Sequence, residues 1–135
     1  MSTIDQQAVL FANEAFYRAF AARDLAAMDE LWARDLPVAC IHPGWGSLTD
    51  RRSVMKSWKD ILGSASSPAI SCRDARAFLL GSAAFVLCFE VLDGGYLIAT
   101  NIFSREGGVW KLVHHQAGPT TQRPAEEEEP VGAVH

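Results

Sequence analysis

The spacing of apolar residues changes once along this chain, at Ala69, and that change limits the possible folds more than any single motif. Before it, apolar residues recur every three or four positions, as on one face of a helix; after it they alternate, as on a strand with one covered side. The second half holds four strand candidates, AISCRDARAFLL, SAAFVLCFEVL, GYLIATNIFSRE and VWKLVHHQAG. They are separated by Gly81, by Asp93-Gly94-Gly95 and by Glu106-Gly107-Gly108, glycine-bearing turns that predict consecutive hairpins and an antiparallel meander.

The first half predicts three helices and one short strand. In IDQQAVLFANEAFYRAFAARD a stripe runs through Ala8, Phe11, Ala12, Ala15, Phe16, Ala19 and Phe20, with Ser2 or Thr3 as the cap. DLAAMDELWARD follows with almost no loop, capped by Asp24. VACIHP reads as a strand, since Pro43 holds His42 extended, and GWGSL reads as a turn or brief hairpin. TDRRSVMKSWKDILG is a third helix, capped by Thr49 or Asp50, with Val54, Trp58 and Ile61 or Leu62 inward. Helices that share one antiparallel sheet make an α+β domain.

The 135 residues suit one domain, expected over 1–118, and the polar, proline-punctuated stretch 119–135 with its run Glu126 to Glu129 reads as an acidic flexible tail. A net charge of -4 offers phosphates no basic field, so nucleic acid is not an expected partner. No apolar run is long enough to span a membrane and the N-terminus lacks a signal-peptide pattern, so a cytoplasmic location is expected. Cys40, Cys72 and Cys88 show no metal or redox spacing and read as buried free thiols.

The element order, with DLAAMDELW ahead of a strand ending HPGWG, then TDRRSVMKSW and a final VWKLVHHQAG, resembles the nuclear-transport-factor-2-like superfamily and within it the SnoaL-like, ketosteroid-isomerase-like branch. The resemblance covers roughly Ala8 to Gly118. It implies a cone-shaped fold in which three N-terminal helices pack on a strongly curved, mainly antiparallel sheet around a cavity, and a homodimer formed through the outer sheet face. It also implies a small apolar molecule in the cone, handled without a cofactor or metal by an isomerase, dehydratase or cyclase, or else a non-catalytic binding or assembly domain, because this fold does not fix function.

Laid on ketosteroid isomerases, His42 falls where that family has its aspartate base, and an imidazole can exchange a proton near neutral pH. The alternative is a structural hydrogen bond at the strand end. Asn101 falls near the family's protonated aspartate and can donate a hydrogen bond without a raised pKa. The family's helix-one tyrosine matches Phe16, with Tyr17 one position over. Glu90 shares its strand parity with Val86 and Cys88, so it must meet a partner or face the cavity. In the last strand Lys111 marks the outer face, which predicts His114 and Gln116 inward, with His115 replacing His114 if the strand bulges. The expected catalytic set is therefore His42, Asn101, Tyr17 and His114. Phe16, Cys40, Trp45, Trp58, Glu90, Phe103 and Gln116 are expected to line the cavity.

Overall fold

The computed structural model describes residues 3–125. Helix α1 (Ile4–Ala22) begins at Thr3, whose side chain caps Gln6 N while the Gln6 side chain returns to the Thr3 backbone. Its buried face runs through Val9, Asn13, Phe16, Tyr17, Ala19 and Phe20, so the expected stripe is rotated toward the sheet and Phe11 stands 65% exposed. The buried face includes Asn13, whose side-chain oxygen accepts a hydrogen bond from Asn101. Helix α2 (Leu25–Leu31) is capped by Asp24 and helix α3 (Arg51–Gly63) by Asp50.

Strand β1 (Ala39–Ile41) is followed by the antiparallel bridge Cys40–Leu48, which closes the His42–Gly46 turn as a short hairpin. Strands β2 (Ser71–Leu80), β3 (Ala83–Leu92), β4 (Gly95–Glu106) and β5 (Val109–Pro119) form the expected meander. The sheet order is β1-β5-β4-β3-β2, with β1 parallel to β5 and every other pair antiparallel. The result is an α+β domain with helices on a mixed, curved sheet.

Two irregularities shape that curve. In β2 the register shifts between Arg73 and Arg76, and Asp74 takes a left-handed backbone (φ 54°). In β5 the pairing passes from Phe103–Leu112 to Ile102–His114, so Val113 is an extra residue and the alternation inverts beyond it. The inversion overturns one orientation expected from sequence. Lys111 marks the outer face correctly for the first half of the strand, where Leu112 is buried, but past the bulge it is His115 that is buried, His114 is half-buried and Gln116 is exposed.

The core gathers Phe16, Met28, Trp32, Trp58, Phe103 and Leu112 between helices and sheet. The α2–β1 connection is fastened to the β4–β5 hairpin by Glu106, whose carboxylate accepts the backbone N–H groups of Arg34, Asp35 and Leu36. All three cysteines are free. Beyond β5, Thr120–Arg123 lie near the β3–β4 turn and Pro124 is buried, while the acidic run lies outside the described residues. Among the described residues no helix is long and apolar enough to cross a membrane.

Candidate functional site

Polar residues on the inward faces of α1, β3, β4 and β5 meet beneath the helices. Tyr17 and Asn13 are one helical turn apart on α1; Glu90, Asn101 and His115 come from three adjacent strands. All five are at most 5% exposed. Groups buried this deeply must satisfy one another.

Their hydrogens can be assigned by counting. Asn101 Nδ2 donates to Asn13 Oδ1 (2.8 Å) and to Tyr17 Oη (3.1 Å), which uses both its hydrogens. The Tyr17 hydroxyl in turn donates to Glu90 Oε2 (2.7 Å). Asn101 Oδ1 can only accept, so His115 Nδ1 is the protonated ring nitrogen and donates to it (2.5 Å). His115 Nε2 then carries a lone pair, and it lies 3.7 Å from Glu90 Oε2.

His42 forms a second arm. The Ser57 hydroxyl gives its one hydrogen to Val54 O (2.6 Å) and therefore accepts from His42 Nε2 (2.8 Å). His42 Nδ1 is left as an acceptor with only the Cys40 thiol near it, at 4.0 Å. The ring is packed edge-on against Trp58 on one side and Trp45 on the other, and its centroid is 6.3 Å from that of His115.

Burial sets the charges. It pushes the Glu90 carboxyl up to about 7, against the opposing pull of the Tyr17 hydroxyl. Burial lowers His42 to about 4 and His115 to about 3, the latter helped by the neighbouring His42 and His114, and raises the Cys40 thiol to about 12. The Tyr17 hydroxyl is also raised, by burial and then by the Glu90 charge. Near neutral pH both imidazoles are uncharged, so the His115–Glu90 approach is no ion pair, and Glu90 is the group poised to gain or lose a proton.

These groups border a cavity of about 290 Å3. Glu90, His115 and His42 provide its polar surface, with Ser67 beside them; Phe20, Ile61, Ile70, Leu92 and Leu97 supply apolar wall, and Trp45, 48% exposed, lines it next to His42. A larger groove of about 480 Å3 between α1 and the irregular part of β2 reaches Asn13, Tyr17 and Cys72 but not Glu90 or His115. The smaller cavity is the better candidate site, because the proton-carrying group borders it.

Of the residues expected from sequence, His42, Trp45, Glu90 and the alternative His115 border this cavity, while Tyr17 and Asn101 stand behind Glu90 and His115. Phe16 and Trp58 pack against the His115 ring, Cys40 lies beneath His42, and Phe103 belongs to the core. His114 and Gln116 are outside the cluster. Asn13 and Ser57 went unnoticed in the sequence, although each is a polar residue within a buried helical stripe, and that was the available signal. Among the described residues no three His, Cys, Asp or Glu side chains are close enough together to hold a metal ion.

Comparison with known proteins adds the family. The model of the SnoaL-like domain matches residues 9–121. The F-box protein SKIP8 of Arabidopsis thaliana is 28% identical over 113 residues, 82% of this chain and 49% of that protein. The chain thus spans about half the length of the curated relative it matches. Among solved structures, a candidate dehydratase of the nuclear-transport-factor-2-like family from Streptomyces avermitilis is 31% identical, with 87% of this chain and 97% of that one covered at a TM-score of 0.78. A candidate calcium/calmodulin-dependent protein kinase type II association domain from Thiobacillus denitrificans is 32% identical, covering 82% and 93% at a TM-score of 0.72.

Proposed function

The chain belongs to the SnoaL-like domain family, and from that premise we propose that it is a small-molecule enzyme that moves a proton within an apolar substrate, as in dehydration or isomerisation, with Glu90 as the proton carrier. The observation behind this reading is a carboxyl of pKa about 7 bordering an apolar cavity, held by Tyr17 and facing the lone pair of His115. A general acid-base is most effective when its pKa lies near the working pH.

In a dehydration of a β-hydroxy ketone, Glu90 carboxylate takes the proton next to the carbonyl. The carbon–carbon double bond forms as the carbon–oxygen bond breaks, and the departing hydroxide leaves as water with the proton returned by Glu90. Tyr17 and Asn101 keep the carboxylate in place through both steps. His42, with a pKa of about 4, is the weaker base of the two and positions substrate at the cavity wall. The likeness to the Streptomyces protein described as a candidate dehydratase supports this class of reaction.

A non-catalytic assembly domain is the second reading, favoured by the likeness to the kinase association domain. The outer sheet face suits it: Phe78 stacks on Phe85 at 4.8 Å, and Leu87, Ile98 and Ile102 share that face, a surface fit for a homodimer. The test is turnover of a panel of small β-hydroxy ketones by the wild-type chain and by Glu90→Gln. Activity that falls at least about 100-fold in the variant, with the wild-type pH profile turning near 7, supports the first reading. Absence of turnover across the panel, or a fully active variant, rejects Glu90 as the carrier.

A further inference from the structure

The hydrogen-bond assignments say what kind of ligand the cavity accepts. Its deep polar atoms are acceptors: His115 Nε2 because Nδ1–H is committed to Asn101, and His42 Nδ1 because Nε2–H is committed to Ser57. Above about pH 7 Glu90 adds carboxylate oxygens, whereas below it that carboxyl carries one hydrogen. The Tyr17 hydroxyl that could have served as a donor is already spent on Glu90, and the remaining donors of the lining, the Ser67 hydroxyl and the Trp45 indole, belong to partly exposed side chains. Among the described residues no Lys or Arg lines the cavity. The unpartnered indole N–H of Trp58 belongs to a side chain that does not line it either. A buried acceptor without a donor is costly, and a second acceptor brought against it is repelled.

We infer that the cavity selects ligands by a hydrogen-bond-donating head, an alcohol or a protonated amine, on a compact apolar body, and turns away carboxylates and phosphates. The inference names the substrate class of the site described above and rests on that site being the binding cavity. An alcohol head donates to His115 Nε2 or to Glu90. An ammonium head donates to the same atoms and also pairs with Glu90 once that carboxyl ionises. In the proposed dehydration the donating head is the leaving hydroxyl itself.

The two head groups differ in pH response. The titratable groups around Glu90 are Tyr17 from α1, Cys72 from β2, Cys88 on β3, His115 from β5, and Cys40 with His42 from β1 and its turn. Between pH 5 and 8 the two histidines stay neutral in the folded chain and the raised Cys40 and Cys72 thiols and Tyr17 phenol keep their protons. The Cys88 thiol is lowered by its hydrogen bond with Cys72 but does not border the cavity, so Glu90 is the cavity-lining group whose charge changes there. Ammonium binding should strengthen as pH rises through about 7, while alcohol binding should not.

The experiment compares four probes on one frame, cyclohexanol, cyclohexylamine, cyclohexanone and cyclohexanecarboxylate, by NMR titration of the full chain between pH 5 and 8. The Trp45 indole N–H and the His115 ring protons serve as reporters. At pH 8, where Glu90 is ionised, cyclohexanol and cyclohexylammonium are expected to bind, the carboxylate at least about 10-fold more weakly and the ketone more weakly than the alcohol. Glu90→Gln should flatten the pH dependence of the amine. A carboxylate or ketone that binds as well as the alcohol overturns the inference, as does failure of all four to perturb the reporters. Binding in the expected order without turnover of any β-hydroxy ketone would reject the catalytic reading alone; turnover by a chain that favours the ketone or carboxylate would reject this inference alone.

Discussion

The sharpest expected effect is on stability rather than activity. Glu90 has an ordinary carboxyl pKa of 4.5 when the chain is unfolded and about 7 when folded, because burial disfavours its charge. A folded pKa raised above the unfolded value means that the protonated side chain is well accommodated below pH 4.5, and that this contribution is lost as pH rises through 7. The gap of about 2.5 units corresponds to about 3 kcal/mol lost between pH 4.5 and 8. Glu90→Gln keeps the shape and removes the charge, so relative to wild type the variant should gain about 3 kcal/mol across that range. The histidines titrate alike in both proteins and cancel in the difference. Urea unfolding at half-unit pH steps measures it: with a slope of about 2 kcal/mol per molar, the midpoint difference should move by about 1.5 M. A difference that does not change with pH would show that Glu90 is solvated or ion-paired, and the argument for its role as proton carrier would fall with it.

Tyr17→Phe removes the hydrogen bond that holds the Glu90 pKa down, so that carboxyl should titrate above 7 by carbon-detected NMR, and the stranded Asn101 and Glu90 atoms should cost about 1–3 kcal/mol of stability. The folded-state pKa values of His42 and His115 lie below the usual 6.5, so their contribution is present above pH 6.5 and lost as pH falls toward 4 and 3; on unfolding near pH 5 wild type should take up about one proton more than His42→Asn, the other titrating groups cancelling in the difference. His42→Ala, which leaves Ser57 without its buried donor, is expected to cost roughly 1–3 kcal/mol while the cavity still binds cyclohexanol, as calorimetry can show. Sedimentation should find a species of twice the 14.7 kDa chain mass, and Ile102→Lys on the outer sheet face should return it to the monomer.

The element order was legible because it depends on local signals. Asp24 and Asp50 cap helices where their spacing to the apolar stripes required it, and the glycine-bearing turns place all three hairpins. Glu90 was legible as well: strand parity alone put a carboxylate inward, and the structure supplies its partner. What a single strand cannot disclose is its pairing. The extra residue at Val113 exists only relative to β4, where two residues face one, so strict alternation from Lys111 carried the inward position to His114. Tyr17 raised a similar difficulty. One helical step turns a side chain by about 100°, yet α1 is covered widely enough that Phe16 and Tyr17 are both buried, one against Trp58 and the other against β3.

The bulge at Val113 gives the tandem His114-His115 a meaning of its own. Were the far half of β5 to advance by one residue against β4 and straighten, His114 would arrive opposite Asn101 and His115 would turn outward. With a lone histidine the same slip would leave the amide facing whatever neighbour came next. Two in succession make the strand tolerant of misalignment: either setting delivers an imidazole to the cone.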